Sequence, residues 1–410
     1  MMQNPVHTML IEFKFRNFLS FKDETSLLMT TVKSFKDNPL NIIPTNRQFE
    51  LLKSAAIFGA NAAGKSNLLG AMALMCRTIF TSFSNSLLKK EERDEERFQF
   101  LLNTSSENAN VMFEASFLIQ DTIFRYGFEI NDYDIKKEWL YRKIDREVSL
   151  FSRDEQKFEI NQESFSEGEK YKTEVNPNVL FLSHLSQNNQ PISRQVFSFF
   201  VGINVISGLH INYQKFTARL LAQNSHFKNW AAEVLKYLEI SNIEAGEKDD
   251  EIITFHRKYN ENNLFLEAVP FHPTAESDGT RQLIHILGPI YDTLRNRRIL
   301  FIDEFDCKLH PNLTKKLIEF FHQFNLNNAQ IIFSTLDPGL MNSKLLRRDQ
   351  IWFVEKDQFG VSSLYSLSDF SAKAVRNSSP YDKMYLNNEF GAADGLEITD
   401  KLTELLYEQA

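Results

Sequence analysis

One octapeptide, Gly59–Ser66, has the residue types and spacing to bind phosphate groups. It follows the apolar run 55–58, which is typical of a buried strand, and precedes a segment with the apolar spacing of a helix. In such a strand–turn–helix unit, backbone N–H groups turn inward around phosphates and the helix presents its positive end to them. The pattern predicts an ATP site formed by Gly59, Asn61, Ala62, Ala63, Gly64, Lys65, Ser66 and Asn67.

Two side chains of this loop are assigned direct chemical roles. Lys65 is predicted to reach the β- and γ-phosphates and to take part in catalysis, and the Ser66 hydroxyl is predicted to ligate Mg²⁺. The alternative is a glycine-rich turn that joins a strand to a helix without binding anything.

A pair of acids, Asp303 and Glu304, supplies the second half of the predicted site. They follow the apolar run 299–302, which suits a central parallel strand buried on both faces. Ligands gather outside the carboxyl ends of such strands. We expect Asp303 to hold Mg²⁺ through water and Glu304 to polarise the attacking water. An apolar run followed by an acid is common, so the assignment depends on its pairing with the phosphate loop.

A third segment, 276–282, precedes a helical apolar pattern and places Ser277 where a helix N-cap is expected. N-capping alone would explain that serine. However, a Ser-x-Gly turn at a helix start, shortly before an Asp-Glu strand, is also the arrangement of a signature motif. There the helix N-terminus and the serine hydroxyl contact the γ-phosphate held by a second subunit.

Composition indicates an ordinary globular protein and narrows the function classes. The net charge is −8, so a strongly basic nucleic-acid footprint is absent from the whole chain, although a local basic groove is compatible with it. No apolar run approaches the ~18 residues of a membrane helix, and no signal peptide is evident. The only two cysteines, Cys76 and Cys307, favour a reducing cytoplasm, and Cys307 is expected to be a buried packing thiol.

The elements that must position these residues follow from alternation and periodicity. Strands are predicted at 9–18, in a hairpin of 111–119 and 122–130, and at 137–144 and 157–160. Helical periodicity then dominates, as in 227–238, before strands return. We predict four units. Residues 1–165 form the N-terminal half of the ATPase head with the phosphate loop and hairpin, and residues 166–250 form an inserted helical lobe. Residues 251–375 form the C-terminal half with the signature, the acids and the switch strand, and residues 376–410 form a helical tail.

The order of phosphate loop, Ser-x-Gly turn and Asp-Glu strand resembles the ABC-type ATPase heads of the SMC/RecF/OLD group. The opening Phe15–Phe21 is similar to their Asn-Phe-x-Ser-Phe start, and Asp303–Pro311 is similar to their Asp-Glu-x-x-x-x-Leu-His-Pro stretch. More narrowly, the chain resembles RloA-type AAA-family ATPases in several phrases: Tyr126–Glu129, Glu138–Tyr141, Phe181–Ser183, Arg348–Phe353, Tyr385–Leu386 and Phe390–Ala392.

The resemblance implies an α/β fold: a P-loop ABC-type ATPase head with a mixed sheet, an antiparallel hairpin subdomain and an inserted helical lobe. It also implies a nucleotide-sandwich homodimer, open to higher assembly, in which ATP lies between one phosphate loop and the partner's Ser277 and Gly279. Asp306 is then a candidate contact across the dimer. Relatives in bacterial anti-phage gene clusters often accompany a separate effector protein, so a nuclease or toxin is the implied partner.

Two positions depart from the pattern of those heads. Leu336 occupies the place of a switch histidine, and a leucine donates no hydrogen bond to a γ-phosphate. Either hydrolysis is slow or partner-dependent, or a neighbour among 334–337 takes over the contact, or the leucine replaces a native histidine. Gln99 lies where a Q-loop glutamine is expected, yet a single glutamine in a strand is more often polar surface.

Three functions compete on this evidence. A dimeric ATPase that senses or regulates in anti-phage defence is the leading one, and it is expected to lack a nuclease of its own because only 338–410 follow the switch strand. A RecF- or SMC-like repair ATPase that binds DNA is the alternative. An ABC transporter ATPase is disfavoured by the hairpin, the helical lobe and the absence of a membrane segment.

Overall fold

The fold was analysed in a computed structural model that describes residues 8–85, 97–131, 134–208, 213–248, 250–371, 374–376, 378–393, 395 and 399–407. In chain order the strands are β1 (Thr8–Arg16), β2 (Thr25–Leu28), β3 (Ile42–Ile43), β4 (Leu51–Leu52), β5 (Ser54–Phe58), β6 (Val111–Ile119), β7 (Thr122–Asn131), β8 (Asp134–Lys143), β9 (Glu147–Asp154), β10 (Lys157–Ile160), β11 (Ile203–Ser207), β12 (Ile240–Ala245), β13 (Ile252–Tyr259), β14 (Phe265–Phe271), β15 (Ile299–Asp303), β16 (Gln330–Ser334), β17 (Ile351–Lys356) and β18 (Ser362–Ser366). The helices are α1 (Lys65–Asn85), α2 (Phe181–Gln187), α3 (Pro191–Val201), α4 (Gln214–Gln223), α5 (Ser225–Leu235), α6 (Asp278–Asn296), α7 (Pro311–Phe324), α8 (Tyr381–Leu386) and α9 (Asp400–Tyr407).

A six-stranded sheet of order β11-β15-β16-β5-β17-β18 carries the candidate site. Its first five strands run parallel, and β18 is antiparallel to β17. Every residue of β5 and β16 is buried, as expected for parallel strands covered on both faces. The C-terminal ends of β5, β15 and β16 therefore meet at one edge of the sheet, and each predicted catalytic segment follows one of those ends.

A second sheet of seven antiparallel strands, β10-β9-β8-β7-β6-β1-β2, packs on one side of the first. The predicted hairpin is confirmed as β6 and β7, which turn at Gln120 in the left-handed conformation. Strands β2 and β9 were not predicted. The expectation of a mixed α/β fold with an antiparallel hairpin subdomain is confirmed, and the subdomain is larger than the sequence indicated.

Alternate residues of the central sheet feed two separate cores. Ala55 and Ile57 of β5 belong to a cluster with α1 and the antiparallel sheet, whereas Ala56 and Phe58 belong to a cluster with α4, α5, α6 and α7. Because both clusters press on the same strands, the sheet edge that carries the site is fixed from both faces.

One buried glutamine ties the two sheets together. The Oε1 atom of Gln330 on β16 accepts a hydrogen bond from the Leu10 N–H of β1 at 2.6 Å. Its Nε2 atom donates to the Leu10 and Leu52 carbonyls, each at 3.1 Å. The side chain thus satisfies backbone groups of β1 and β4 from within the core, where an unpaired polar group is costly.

The predicted helical region 166–250 contains α2, α3, α4 and α5, and α5 covers most of the periodic segment 227–238. It also contains β11, which forms the edge of the central sheet, and β12, which pairs with β13. The boundaries of the four predicted units stay a prediction. The charged run Leu87–Arg97, expected to be a solvated surface segment, lies outside the described residues except for Arg97.

No helix among the described residues combines the length and the apolar character that a membrane crossing requires.

A buried carboxylate, Glu138 on β8, positions α2 against the antiparallel sheet. It accepts hydrogen bonds from the N–H groups of Phe181 and Leu182 at 2.7 and 2.9 Å and from the Tyr126 hydroxyl at 2.9 Å. The guanidinium of Arg153 lies 3.5 Å away and is equally buried. Burial raises the pKa of Glu138, and Arg153 and the three donors oppose that rise. The carboxylate of Glu138 therefore joins three of the segments that resemble RloA-type ATPases, namely Tyr126–Glu129, Glu138–Tyr141 and Phe181–Ser183.

Replacing Glu138 with alanine is expected to lower the apparent free energy of unfolding by about 3–5 kcal/mol, because Arg153 is left buried without its partner. Urea unfolding followed by circular dichroism measures the change. The control is Glu159→Ala, which removes an exposed carboxylate of β10 and should change stability by about 0.5 kcal/mol or less. Equal stability of the two variants would contradict this role for Glu138.

Candidate nucleotide-binding site

The phosphate loop joins β5 to α1, and both of its motif glycines are required by their surroundings. Gly59 has φ +153°, and a Cβ atom there would lie 2.3 Å from the Val354 carbonyl oxygen. Gly64 has φ +119°, and a Cβ atom there would lie 2.6 and 2.7 Å from the hydroxyls of Ser362 and Ser20. Any side chain at either position would push the loop out of its place between β17, β18 and the chain after β1.

Two serine hydroxyls brace the loop from behind. Ser362 Oγ donates to the Ala63 carbonyl at 2.5 Å and lies 2.8 Å from Ser20 Oγ. Asn67 Nδ2 donates to Ser20 Oγ at 2.8 Å, so this amide, predicted to bind nucleotide, holds the loop in the structure. Ser20 belongs to the Phe15–Phe21 segment, and this contact is the link between that segment and the site.

Lys65 begins α1 and folds back over the loop. Its Nζ atom donates to the carbonyls of Gly59 and Ala60, each at 2.8 Å, and the side chain is 8% exposed. Asn61 and Ala62 form the exposed tip, and Ala62 takes the left-handed conformation with φ +60°. The ammonium group is thus held against the backbone of the loop, and its contact with the β- and γ-phosphates stays a prediction.

The two acids are held by one hydroxyl of the neighbouring strand. Ser334, the last residue of β16, donates through Oγ to Asp303 Oδ1 at 2.5 Å and accepts the Glu304 N–H at 2.7 Å. Glu304 takes the left-handed conformation with φ +50°, which turns the chain away as β15 ends. The parallel pairing of β15 with β16 puts Ser334 within reach of both residues.

The electrostatic surroundings of Glu304 suit a group that accepts a proton. Burial raises the pKa of its carboxyl, and the negative charges of Asp303 and Asp306 raise it further. The ammonium of Lys65 opposes them, so the lysine of the phosphate loop and the glutamate interact electrostatically. A carboxylate more basic than usual is a better general base for water at neutral pH.

Ser66 and Asp303 line one pocket of about 440 Å³, so the structure brings together both predicted Mg²⁺ ligands. A hydroxyl and a carboxylate are hard oxygen donors, the type that Mg²⁺ prefers alongside phosphate and water. These residues fit the ion: Ser66 would be a direct ligand and Asp303 would act through water, as expected from the sequence. The full lining is Ser66, Leu69, Gly70, Val205, Ile206, Ser207, Tyr213 and Asp303.

Two residues of this pocket, Ser207 and Tyr213, were missed by the sequence analysis. Ser207 ends β11 directly beside Asp303 in the strand register, and Tyr213 precedes α4. Gln99 was expected to be a polar surface residue within a strand. This expectation is wrong, because Gln99 is buried and lies in a loop. It is not in the pocket lining either. The mostly apolar segment 203–206, interrupted by Asn204 and followed by Ser-Gly, was the available signal for a second site strand.

The predicted signature segment forms the start of α6 and packs on the loop after the acids. Ser277 is its N-cap, with Oγ accepting the Thr280 N–H at 3.1 Å, so the capping role is observed. A Cβ atom on Gly279 would lie 2.7 Å from the Lys308 carbonyl oxygen. Lys308 Nζ also pairs with Asp278 at 3.0 Å. Ser277 is exposed, and its contact with a partner's nucleotide stays a prediction.

Leu336 lies beside the acids at the position expected for a histidine. Its side chain is 46% exposed, and its N–H donates to Asp306 Oδ2 at 3.2 Å. Of the neighbours considered as substitutes, Thr335 accepts the Asp337 N–H, and Asp337 caps the following turn. Ser334 contacts both Asp303 and Glu304, but its one O–H is donated to Asp303. Which neighbour takes over part of the role stays a prediction.

Cys307 differs from expectation, because it is partly exposed rather than buried. It lies in the tight turn after the acids, where its N–H donates to the Glu304 carbonyl at 3.0 Å. Partial burial and the charge of Glu304 raise the pKa of its thiol, which keeps it protonated and unreactive.

Residues 54–342 match a family model described as "AAA domain, putative AbiEii toxin, Type IV TA system". The chain belongs to this AAA family. The match spans the phosphate loop, the signature segment, the acids and Leu336, and it confirms the prediction of an AAA-type ATPase. The RloA-type assignment stays a prediction.

Similar solved structures include the SMC head domain from Thermotoga maritima, at 14% identity and a TM-score of 0.42, covering 87% of this chain and 98% of that one. An SMC head bound to the C-terminal winged-helix domain of ScpA gives 12% identity and a TM-score of 0.40, covering 87% and 97%. A third similar structure is an SMC head with an extended coiled coil, bound to the C-terminal domain of ScpA derived from Pyrococcus furiosus. It has 13% identity and a TM-score of 0.37, and the match covers 94% of this chain and 100% of that one. No curated protein matches the chain.

Replacing Lys65 with alanine is expected to weaken ATP binding by roughly tenfold to a hundredfold, because hydrogen bonds to a charged group contribute about 1.5–3 kcal/mol. Titration with a fluorescent ATP analogue measures the affinity. Lys344→Ala, which removes an exposed lysine away from the loop, is the charge-matched control. Unweakened binding by the Lys65 variant would overturn the phosphate-loop assignment.

Replacing Leu336 with histidine is expected to raise the ATPase rate by about tenfold or more, because the imidazole supplies a donor beside Glu304. Steady-state phosphate release measures the rate. Leu326→His, at a surface position that is 87% exposed, controls for the added histidine. An unchanged rate would mean that another group, such as Ser334, already makes this contact.

Proposed function

We propose that this protein is a slowly hydrolysing ATPase that closes as a homodimer around two Mg·ATP molecules and regulates a separately encoded effector in bacterial anti-phage defence. The observation that carries the proposal is the assembly of Lys65, Ser66, Asp303 and Glu304 at one sheet edge, with Leu336 where a histidine is expected. This arrangement would bind Mg·ATP and activate the attacking water, but it lacks the histidine hydrogen-bond donor that fast hydrolysis requires.

The need for a second copy is supported by the position of the signature segment. Ser277 and Gly279 are absent from the lining of the pocket that holds Ser66 and Asp303. Their helix start is exposed instead, on the outer side of the loop formed by 304–310. A helix N-terminus that faces outward is free to complete the nucleotide site of another copy.

Slow turnover makes the protein a switch rather than a motor. ATP shared between two copies favours the closed dimer because the γ-phosphate adds contacts that exist only in that state. Without a histidine donor, the closed state persists until hydrolysis or a partner opens it. A long-lived closed state suits a component that holds an effector in check, whether nuclease or toxin.

The description of the matched family, with its putative AbiEii toxin and type IV toxin–antitoxin system, supports a defence role with a paired protein. The cytoplasm, where phage nucleic acid and ATP are both present, is the compartment this function requires. A DNA-repair role of the RecF or SMC kind is distinguished by strong stimulation of the ATPase by DNA.

Replacing Glu304 with glutamine is expected to preserve ATP binding, to lower turnover by about a hundredfold or more, and to trap a closed dimer. Light scattering after size exclusion, with and without Mg·ATP, measures the mass. Glu261→Gln removes the same charge at an exposed hairpin loop and should leave both mass and turnover unchanged.

Undiminished turnover of the Glu304 variant would remove this residue as the catalytic base. A variant that binds ATP but stays monomeric at every concentration would overturn the nucleotide-bridged dimer.

A further inference from the structure

The pocket that contains the predicted Mg²⁺ ligands has walls from two different parts of the fold. One wall is part of the central sheet: Gly208, next to β11, donates its N–H to the Asp303 carbonyl at 2.7 Å. A Cβ atom on Gly208 would lie 2.2 Å from the Glu304 carbonyl oxygen, so the backbones of Gly208 and the acids pack closely. The opposite wall is Tyr213, which precedes α4 and is 7% exposed.

Tyr213 connects this pocket to the signature helix. Its hydroxyl accepts a hydrogen bond from Gln282 Nε2 at 3.3 Å, and Gln282 is 5% exposed on α6. The same helix begins at the Ser277 N-cap. A single side chain therefore lines the metal side of one copy's nucleotide pocket and bonds the helix that the copy presents to its partner.

The helices α4 and α6 are locked together beyond this bond. Thr217 Oγ1 on α4 donates to the His285 carbonyl on α6 at 2.7 Å. A Cβ atom on Gly288 would lie 2.3 Å from Thr217 Oγ1, so the backbones approach as closely as glycine permits. These contacts link Tyr213 and α4 to the N-terminal half of α6.

We propose that Tyr213 is a positioning residue that couples Mg·ATP in one copy to the orientation of that copy's own signature segment. The inference rests on the proposed nucleotide-bridged dimer. A metal–phosphate group between Ser66 and Asp303 sets the position of the Tyr213 ring, and the bond to Gln282 carries that position to Ser277 and Gly279. Only a loaded copy then presents a signature that fits its partner, so the two nucleotides bind the dimer cooperatively.

The test uses Tyr213→Phe, which removes the hydroxyl and keeps the ring that lines the pocket. Amide hydrogen exchange of 278–283 is measured in the dilute, monomeric protein with and without Mg·ATP. Wild type is expected to change its exchange rate in this segment when Mg·ATP binds. Tyr213→Phe should lose most of that change when each protein is compared at a Mg·ATP concentration that saturates it, because the bond to Gln282 is removed.

A double-mutant cycle separates this coupling from a general structural role. In the Glu304→Gln background, Tyr213→Phe and Gln282→Leu are each expected to weaken closed-dimer formation about five- to tenfold, and their combination no further, because they remove the same bond. The control is Tyr291→Phe, on the same helix but packed against Phe227 and Trp230, which should leave dimer formation unchanged.

Mg·ATP-dependent exchange that survives in Tyr213→Phe would overturn the inference, as would additive losses in the cycle. The two proposals fail separately. A Glu304→Gln protein that never dimerises refutes the nucleotide-bridged dimer, whereas the exchange measurement on monomers still decides whether Tyr213 couples the pocket to α6.

Discussion

The candidate site depends on one hydroxyl, that of Ser334, which holds the carboxylate of Asp303 and the backbone of Glu304 at the same time. This is possible because β15 and β16 are adjacent parallel strands that end together. The next strand, β5, ends in the phosphate loop, so Asp303, Glu304 and Lys65 lie at one edge of the sheet. Any shift in strand register would separate these groups, and the two cores on either face resist such a shift.

Two further parts of the structure contact the site. The antiparallel sheet is tied to the central one by Gln330 and braces the phosphate loop through Ser20. The helices α4 and α6 pack in one core with the central sheet, contact the pocket through Tyr213 and lead to the exposed Ser277. In the proposed dimer, the central sheet would hold the nucleotide while α6 presents Ser277 and Gly279 to the partner copy.

Much of the site was predictable, and the misses have a common cause. The glycine loop and the Asp-Glu pair each follow an apolar strand, so their chemistry is encoded in contiguous residues. Ser207 and the neighbouring Tyr213 were missed because a short edge strand inside a helical region has little periodicity of its own. Gln99 was misassigned for another reason: the residues that bury it are not its neighbours in the chain. Cys307 was expected to be buried from the average behaviour of cysteine, but the tight turn after Glu304 leaves it partly exposed.

The sequence by itself predicted which residues would bind phosphate and activate water, because these predictions rest on local motifs with fixed spacing. It also determined the order of strand, loop and helix, through apolar patterning. Only the tertiary structure decided that Ser334 holds both acids, that Asn67 and Ser20 brace the loop, and that Tyr213 bonds the signature helix. Those contacts join residues far apart in the chain, and strand order and helix packing, rather than local composition, bring them within hydrogen-bonding distance.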